Sequence, residues 1–235
     1  MDTLRVGTFS HDPPFSGMAD GGLAVDLATA MGAALGVPVE WVTVDGSAAA
    51  VLAALPAGTC DCVVAGLTVT PERRTAAAFG PPYLVSGQAL AVDAARHPTV
   101  RSVDDLAGLT VAVRRGSTGH EVAERLFVDG RVGAVRAFDE RDFWSAAGDL
   151  ESGGCDAVIA LAPTLAALVG TLPDVDVVQR GLSREEIAVA VAPGDDALLA
   201  QLVTAQGALE ADGSLQELRR KWLGNPYRDQ SLAAH

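Results

Sequence analysis

The stretch Val63-Val64-Ala65-Gly66-Leu67-Thr68-Val69-Thr70-Pro71-Glu72-Arg73-Arg74 predicts a buried strand, a short polar loop and the start of a helix. The apolar run stops at Gly66, which favours a strand end at that point. Thr70 is a typical N-capping residue, and Pro71 is favoured at the first position of a helix. A connection of this kind exposes backbone groups at the end of a strand, where α/β proteins often bind ligands.

The side chains of this loop suit a small carboxylate. Thr68 offers a hydroxyl, and Arg73 offers a fork of N–H donors that matches two carboxylate oxygens. The backbone of Gly66 and Leu67 adds further donors. The sequence therefore predicts a carboxylate-binding site here, with an ordinary capped strand–helix connection as the alternative.

Charge and composition exclude several classes of partner. The net charge is −13, whereas nucleic acids and anionic membrane surfaces need basic patches. We therefore predict no nucleic-acid partner. A single arginine in a cleft can still bind one small anion. The sequence shows no Ser-His-Asp arrangement, no phosphate-binding glycine loop and no metal cluster, so we predict no catalytic residues, no cofactor and no metal.

The three cysteines are Cys60, Cys62 and Cys155. Their odd number and their spacing fit neither a disulfide framework nor a CxxC motif. We predict buried thiols that act as small apolar side chains.

Hydrophobic patterning predicts an α/β protein. The first part of the chain alternates strands at 4–9, 39–44 and 62–65 with helices at 26–35 and 47–55, and this order is typical of a parallel sheet. A second series then follows, with strands at 87–92, 110–113, 132–138, 156–160 and 175–178 and helices at 102–106, 121–127 and 143–150. A strand at 186–191 and helices at 195–211 and 214–222 complete the chain.

A faint internal repeat supports two similar lobes. Gly58-Thr59-Cys60-Asp61 precedes one apolar strand, and Gly154-Cys155-Asp156 precedes another. We predict one lobe from 1–91 plus 188–235 and a second lobe from 92–187. The two crossings between the lobes predict a two-strand hinge.

Several motifs, in their order and spacing, resemble the bacterial extracellular solute-binding proteins of family 3, which serve amino-acid ABC importers. They are Gly66-Leu67-Thr68-Val69-Thr70-Pro71-Glu72-Arg73, Gly116-Ser117-Thr118, Asp156-Ala157-Val158, Ala211-Asp212-Gly213-Ser214 and Lys221-Trp222-Leu223-Gly224. The resemblance implies a two-lobed periplasmic-binding-protein type II fold, in which each lobe is a mostly parallel sheet flanked by helices. It also implies a monomer that captures a solute by hinge closure and delivers it to an ABC permease in the membrane.

The resemblance also implies roles for individual residues. Arg73 would pair with the ligand carboxylate, and Thr68 and the backbone at Gly66 would add hydrogen bonds from lobe one. Ser117 and Thr118 would donate from lobe two, where a helix N-terminus favours an anion. The alternative for these two is an ordinary N-cap pair.

Two departures from the family pattern concern the ligand's ammonium group. The family usually has an acid five residues after the aspartate that opens the lobe-two strand, and this position holds Leu161. In the early loop, acid and aromatic have exchanged places, as Phe9 and Asp12 show. Asp12 or His11 is the candidate to replace the missing acid.

These departures favour a ligand with a carboxylate but without a standard α-amino contact. Such a ligand is an organic acid or a modified amino acid that faces Phe9, Phe15, Val51 and Leu161. The alternative is an ordinary amino acid that is held by Asp12.

Two other functions use the same fold. One is a lyase of the cyclohexadienyl-dehydratase type, for which the candidate acid–base residues are His11, Asp12, His120 and Glu121. The segment after the lobe-two strand, 160–164, carries no carboxylate, which argues against this chemistry. The other is the sensory domain of a larger receptor. We predict no signal peptide, so the location is extracytoplasmic for a trimmed mature form and cytoplasmic if Met1 is native.

Overall fold

The computed structural model describes residues 2–19 and 21–224. The strands, in chain order, are β1 Leu4–Phe9, β2 Val39–Val44, β3 Cys62–Val63, β4 Ala78–Ser86, β5 Gln88–Asp93, β6 Thr110–Arg114, β7 Ala134–Phe138, β8 Ala157–Leu161, β9 Val175–Gln179 and β10 Glu185–Val191. The α-helices are α1 Leu23–Leu35, α2 Ala48–Ala53, α3 Thr118–Val128, α4 Ala146–Ser152, α5 Ala162–Val169, α6 Asp196–Ala211 and α7 Ser214–Leu223. Single 3₁₀ turns lie at Arg73–Thr75, Val103–Asp105 and Phe143–Ser145.

The chain forms two compact units. Unit 1 comprises the described residues up to Val85 and from Glu185 onward, and unit 2 comprises Ser86–Arg184. The predicted lobes are 1–91 plus 188–235 and 92–187. Both of their boundaries lie a few residues after the boundaries of the two units in the structure. The hinge crossings, predicted near residues 89–93 and 186–189, lie inside β5 and β10, which are interior strands of their sheets. The hinge itself stays a prediction.

Each unit contains one five-stranded sheet. The order is β2-β1-β3-β10-β4 in unit 1 and β7-β6-β8-β5-β9 in unit 2. Strand β1 runs parallel to β2 and β3, and β6 runs parallel to β7 and β8. The strand that directly follows each change of unit is antiparallel to a neighbour, since β5 pairs with β8 and β10 pairs with β3 in that sense. The predicted α/β class is confirmed, and each sheet contains both parallel and antiparallel pairs.

Alternation along the strands of unit 2 buries both faces of its sheet. One face packs against α4 and α5 through small and apolar side chains such as Ala112, Val158 and Leu165. The other face packs against α3 through residues such as Val111, Ile159 and Leu126. Neighbouring residues on one strand thus pack into the apolar clusters on opposite faces of the sheet, because side chains alternate along a strand.

The aspartates of the predicted internal repeat, Asp61 and Asp156, form equivalent hydrogen bonds in the two units. In unit 1, Asp61 accepts from the backbone N–H of Arg5 through Oδ2 at 2.8 Å and donates its own N–H to Arg5 O at 2.8 Å. In unit 2, Asp156 accepts from the N–H of Thr110 at 2.8 Å and donates to Thr110 O at 2.9 Å. Each aspartate therefore connects the loop before one strand to the start of its parallel neighbour.

Two elements escaped the sequence-based prediction, for identifiable reasons. Strand β4 contains Gly80-Pro81-Pro82, and proline cannot donate to a ladder and is rare inside strands. Helix α5 is apolar almost all round, with six buried residues among its eight, so it has no amphipathic period to detect. The predicted helix after Pro71 is only the 3₁₀ turn at Arg73–Thr75.

Among the residues that the structure describes, no helix combines the length and the apolar character needed to cross a membrane.

Candidate functional site

The loop after β3 is fixed by backbone bonds to the start of β10. Thr68 forms an isolated antiparallel bridge with Ile187, and the N–H of Val69 donates to Glu186 O at 2.8 Å. These bonds hold the loop beside the first residues of β10. The side chain of Thr68 consequently lies next to that of Glu185.

Thr68 and Glu185 form a buried polar pair. The Thr68 hydroxyl donates to Oε2 of Glu185 at 2.5 Å, and the two residues are 6% and 5% exposed. Sequence reasoning missed Glu185, because Arg184-Glu185-Glu186 looks like a solvated charge run before a strand. The signal that could have found it is a polar residue at the first position of a strand whose later residues are apolar, from Ile187 onward in β10.

Arg73 is anchored by the same loop. Its Nη1 donates to Thr68 O at 2.8 Å, and its backbone N–H donates to Oγ1 of Thr70 at 3.1 Å. Arg73 is half-buried, whereas Arg74 is exposed and places its guanidinium 5.9 Å from the centroid of the Phe79 ring. Of these two arginines, Arg74 is therefore the surface residue.

These contacts bear on the role predicted for Thr68. A hydroxyl has one O–H to donate and two lone pairs to accept with. Because the O–H of Thr68 is directed at Glu185, its side chain can offer a ligand only lone pairs. In this structure the Thr68 hydroxyl donates within unit 1, and its contact with a ligand carboxylate stays a prediction. Thr68 thus contacts the guanidinium of Arg73 through its backbone carbonyl and the carboxyl group of Glu185 through its hydroxyl.

Two side chains of the early loop, Asp12 and Phe15, pack against Gly66. Asp12 and Phe15 are both fully buried. A Cβ at Gly66 would lie 2.6 Å from Oδ2 of Asp12 and 2.6 Å from Cδ2 of Phe15. Burial raises the pKa of Tyr83 well above its ordinary value, with a smaller contribution from Asp12. Ligand contacts at Asp12 and Phe15 stay predictions.

His11, the other candidate for the missing acid, is exposed. Its Nδ1 lies 3.3 Å from Gly17 O. A ligand contact at His11 stays a prediction.

The apolar side chains predicted to face the ligand in lobe one belong to the core. Phe9, Val51 and Leu67 are all part of one buried cluster in unit 1 and are between 0% and 4% exposed. The cluster also contains residues of β3 and α2. These three side chains pack in the core of unit 1; ligand contacts of the Phe9 and Val51 side chains and of the Leu67 backbone stay predictions.

In unit 2, Ser117 caps helix α3. Its Oγ accepts from the N–H of His120 at 3.1 Å and donates to Arg114 O at 2.7 Å. The hydroxyl proton is thus used inside the unit, as expected for an N-cap. The alternative interpretation of Ser117 as an ordinary cap describes this geometry, and a ligand contact at Ser117 stays a prediction.

Thr118 contacts a residue that sequence reasoning did not single out. Oγ1 of Thr118 accepts from Nε2 of Gln88 at 3.1 Å, and Gln88 is 2% exposed. A Cβ at Gly119 would lie 2.6 Å from Oε1 of Gln88, so this glycine permits the close approach. Gln88 opens an apolar strand, the same signal that Glu185 gives in unit 1.

Leu161 ends β8 and pairs in register with Gln88. It is 6% exposed and stands directly before α5, at the helix N-cap position. The structure therefore brings Leu161, Gln88 and Thr118 together where β8 ends and β5 begins. The strand end at which the family pattern places an acid is apolar.

The cysteines are buried and free in the structure. Burial raises the pKa of all three thiols, that of Cys155 to about 12. Across residues 2–19 and 21–224, no group of three or more potential ligands could hold a metal ion.

Comparison with known proteins identifies the family. The family model for bacterial extracellular solute-binding proteins, family 3, matches residues 4–225. The L-cystine-binding protein TcyJ of Escherichia coli (strain K12) is 33% identical over 94% of this chain and 83% of that protein.

Solved structures agree in both fold and sequence. An ancestral arginine-binding protein bound to arginine superposes with a TM-score of 0.84 at 34% identity, covering 95% of this chain and 99% of the other. The ancestral amino acid-binding protein AncCDT-1, a precursor of cyclohexadienyl dehydratase, gives a TM-score of 0.81 at 30% identity, covering 94% and 95%. The predicted two-lobed fold and the predicted role as a solute-binding protein are confirmed. This chain belongs to the bacterial extracellular solute-binding proteins, family 3.

Proposed function

We propose that this protein is the solute-binding component of an ABC-type importer and captures a small carboxylate-bearing solute through Arg73. The observation that carries the proposal is the position of the guanidinium, whose Nη1 donates to Thr68 O at 2.8 Å. That bond accounts for one of the five N–H donors of an arginine and restrains the orientation of the planar fork. A restrained fork binds a carboxylate with less loss of side-chain entropy.

Amino acids are the first solute class to consider. The relatives include proteins named for L-cystine and arginine, and the similar solved structures include one that is bound to arginine. Each of these ligands carries an α-carboxylate. The name of the relative ABC transporter arginine-binding protein 1 supports an ABC permease as the partner, and the family's description as extracellular supports an extracytoplasmic location.

A thermal-shift screen tests this proposal. The protein is unfolded and refolded to remove co-purified solute, and then incubated with the common L-amino acids, L-cystine and the carboxylic acids that lack their α-amino groups. A ligand at 100 times its Kd stabilises by about 2.7 kcal/mol. For a chain of this size, that corresponds to a rise in the unfolding midpoint of roughly 5 °C or more.

The amides of the best ligands serve as matched controls, since they lack the carboxylate. We expect a saturable rise for at least one carboxylate and a much smaller rise for its amide. The proposal fails if no carboxylate raises the midpoint, or if the amide binds as tightly as the acid.

The lyase alternative receives no support from the end of β8. The residues from Ala160 to Thr164 contain no acid, and Thr164 is 1% exposed within α5. An acid–base group within reach of a leaving group is a requirement for such an enzyme.

A further inference from the structure

We propose that Glu185 recognises the α-ammonium group of the solute, so that unit 1 alone supplies groups for both charges of an amino acid. The proposal rests on the proposed function, since it concerns the same site. It assigns a specificity-determining role to a residue that lies at the first position of β10.

Glu185 is held in place by contacts with the loop that carries Thr68. Thr68 forms a bridge with Ile187, and its hydroxyl donates to Oε2 of Glu185 at 2.5 Å. Glu186, the next residue, lies on the opposite face of the strand, because side chains alternate along a strand. Only one of the two glutamates is therefore turned toward the Thr68 side chain.

The hydrogen-bonding capacity of this pair suits a cation. Thr68 gives its single O–H to Glu185, so that the Thr68 hydroxyl can only accept from a ligand. A carboxylate, which needs donors, gains nothing from such a pair. An ammonium group carries three N–H donors and a positive charge, and it is stabilised by both the hydroxyl lone pairs and the carboxyl oxygens.

Arg73 supplies the complementary half. Its guanidinium contacts the carbonyl of Thr68, and the carboxyl group of Glu185 contacts the hydroxyl of the same residue. An α-amino acid carries its carboxylate and its ammonium on one carbon atom. Opposite charges on the two sides of a single residue therefore match a zwitterion better than they match a simple organic acid.

The test compares ligands and variants in one calorimetric experiment. The probes are the L-amino acid that gives the largest thermal shift and the carboxylic acid that lacks its α-amino group. Wild type, Glu185→Gln and Glu185→Asp are titrated with both, and Glu186→Gln is the matched control. Glutamine keeps the shape and an acceptor oxygen for Thr68 but removes the charge, whereas aspartate keeps the charge.

We expect wild type and Glu186→Gln to prefer the amino acid over its deaminated analogue. Glu185→Gln should lose about 10- to 100-fold in affinity for the amino acid, the range for a hydrogen bond to a charged group, and little for the analogue. Glu185→Asp should keep more of the preference than Glu185→Gln does.

The failures are distinguishable. If wild type binds neither probe, the proposed function is wrong. If wild type binds both probes equally, or if Glu185→Gln keeps the preference for the amino acid, the role of Glu185 is refuted while the proposed function stands. Equal binding of the two probes by wild type refutes the role of Glu185 even if a Glu185 variant does not fold.

Discussion

Thr68 donates its hydroxyl proton to Oε2 of Glu185 at 2.5 Å, although 117 residues separate the two along the chain. The bond joins the loop after β3 to the first residue of β10. The loop that anchors Arg73 is thus positioned by a strand that enters unit 1 from the end of the other unit's sequence. The guanidinium of Arg73 and the carboxyl group of Glu185 are both held by Thr68, the first through its backbone carbonyl and the second through its hydroxyl.

Thr68→Val should destabilise unit 1, because the variant keeps the shape of the side chain but removes the donor to a buried carboxyl group. The expected loss in the free energy of unfolding is about 1–3 kcal/mol. Thr68→Ser, which keeps the hydroxyl, should lose less. Urea denaturation followed by circular dichroism measures both, and equal losses would show that the hydrogen bond is not the cause.

Gly66→Ala should also destabilise the protein, since its Cβ would lie 2.6 Å from both Oδ2 of Asp12 and Cδ2 of Phe15. Overpacking of this kind costs about 1–3 kcal/mol. Gly207→Ala is the matched control, because Gly207 lies in α6, is exposed and has no neighbouring atom within 4 Å of a Cβ. That variant should gain about 0.4–1 kcal/mol, and a loss equal to that of Gly66→Ala would contradict the packing argument.

Asp61 should contribute a stability that depends on pH. Burial opposes ionisation of this carboxyl group, but hydrogen bonds from the side chain and backbone of Arg5 outweigh it and lower the pKa below the ordinary value of 3.8. A lowered pKa in the folded state stabilises the protein above the unfolded-state pKa and is lost as the pH falls through the folded-state pKa.

The measurement is urea denaturation of wild type and Asp61→Asn between pH 7 and pH 3. The variant should be less stable at pH 7, and the two curves should converge as the pH falls below about 4. Glu40→Gln, at an exposed position on β2, is the control and should follow wild type. A constant difference between Asp61→Asn and wild type across this range would contradict the expected linkage.

The thiols should be unreactive in the folded protein. Burial disfavours the thiolate of Cys60, Cys62 and Cys155, and the thiolate is the reactive species. Titration with a disulfide reagent at pH 8 should give negligible reaction in buffer and all three thiols in denaturant. Rapid reaction of the native protein would mean that at least one thiol is accessible.

Much of the fold could be predicted from the sequence, because local patterns carry it. The alternation of strands and helices, and the aspartates Asp61 and Asp156 that open equivalent strands, required no knowledge of distant contacts. Strand β4 and helix α5 could not be predicted, since one is interrupted by prolines and the other lacks a polar face.

The candidate site was predictable only in part, for a physical reason. Arg73 and Gly66 stand in a loop whose chemistry is visible in twelve consecutive residues. Glu185 and Gln88 act through contacts with residues that are distant in sequence, and no local pattern reveals such contacts. The prediction of an altered ammonium end rested on Leu161 and on the exchange of Phe9 and Asp12, and it did not consider Glu185, which contacts Thr68.

The central claim is that Arg73 binds the solute carboxylate, and calorimetric titration of Arg73→Ala and Arg74→Ala tests it most directly. Loss of a charged hydrogen-bonding partner costs about 2–5 kcal/mol in binding. With the solute that gives the largest thermal shift, Arg73→Ala should bind at least about 30-fold more weakly than wild type. Arg74→Ala, which removes an exposed arginine, should bind like wild type. Equal affinities of Arg73→Ala and wild type, with both proteins folded, would contradict the account.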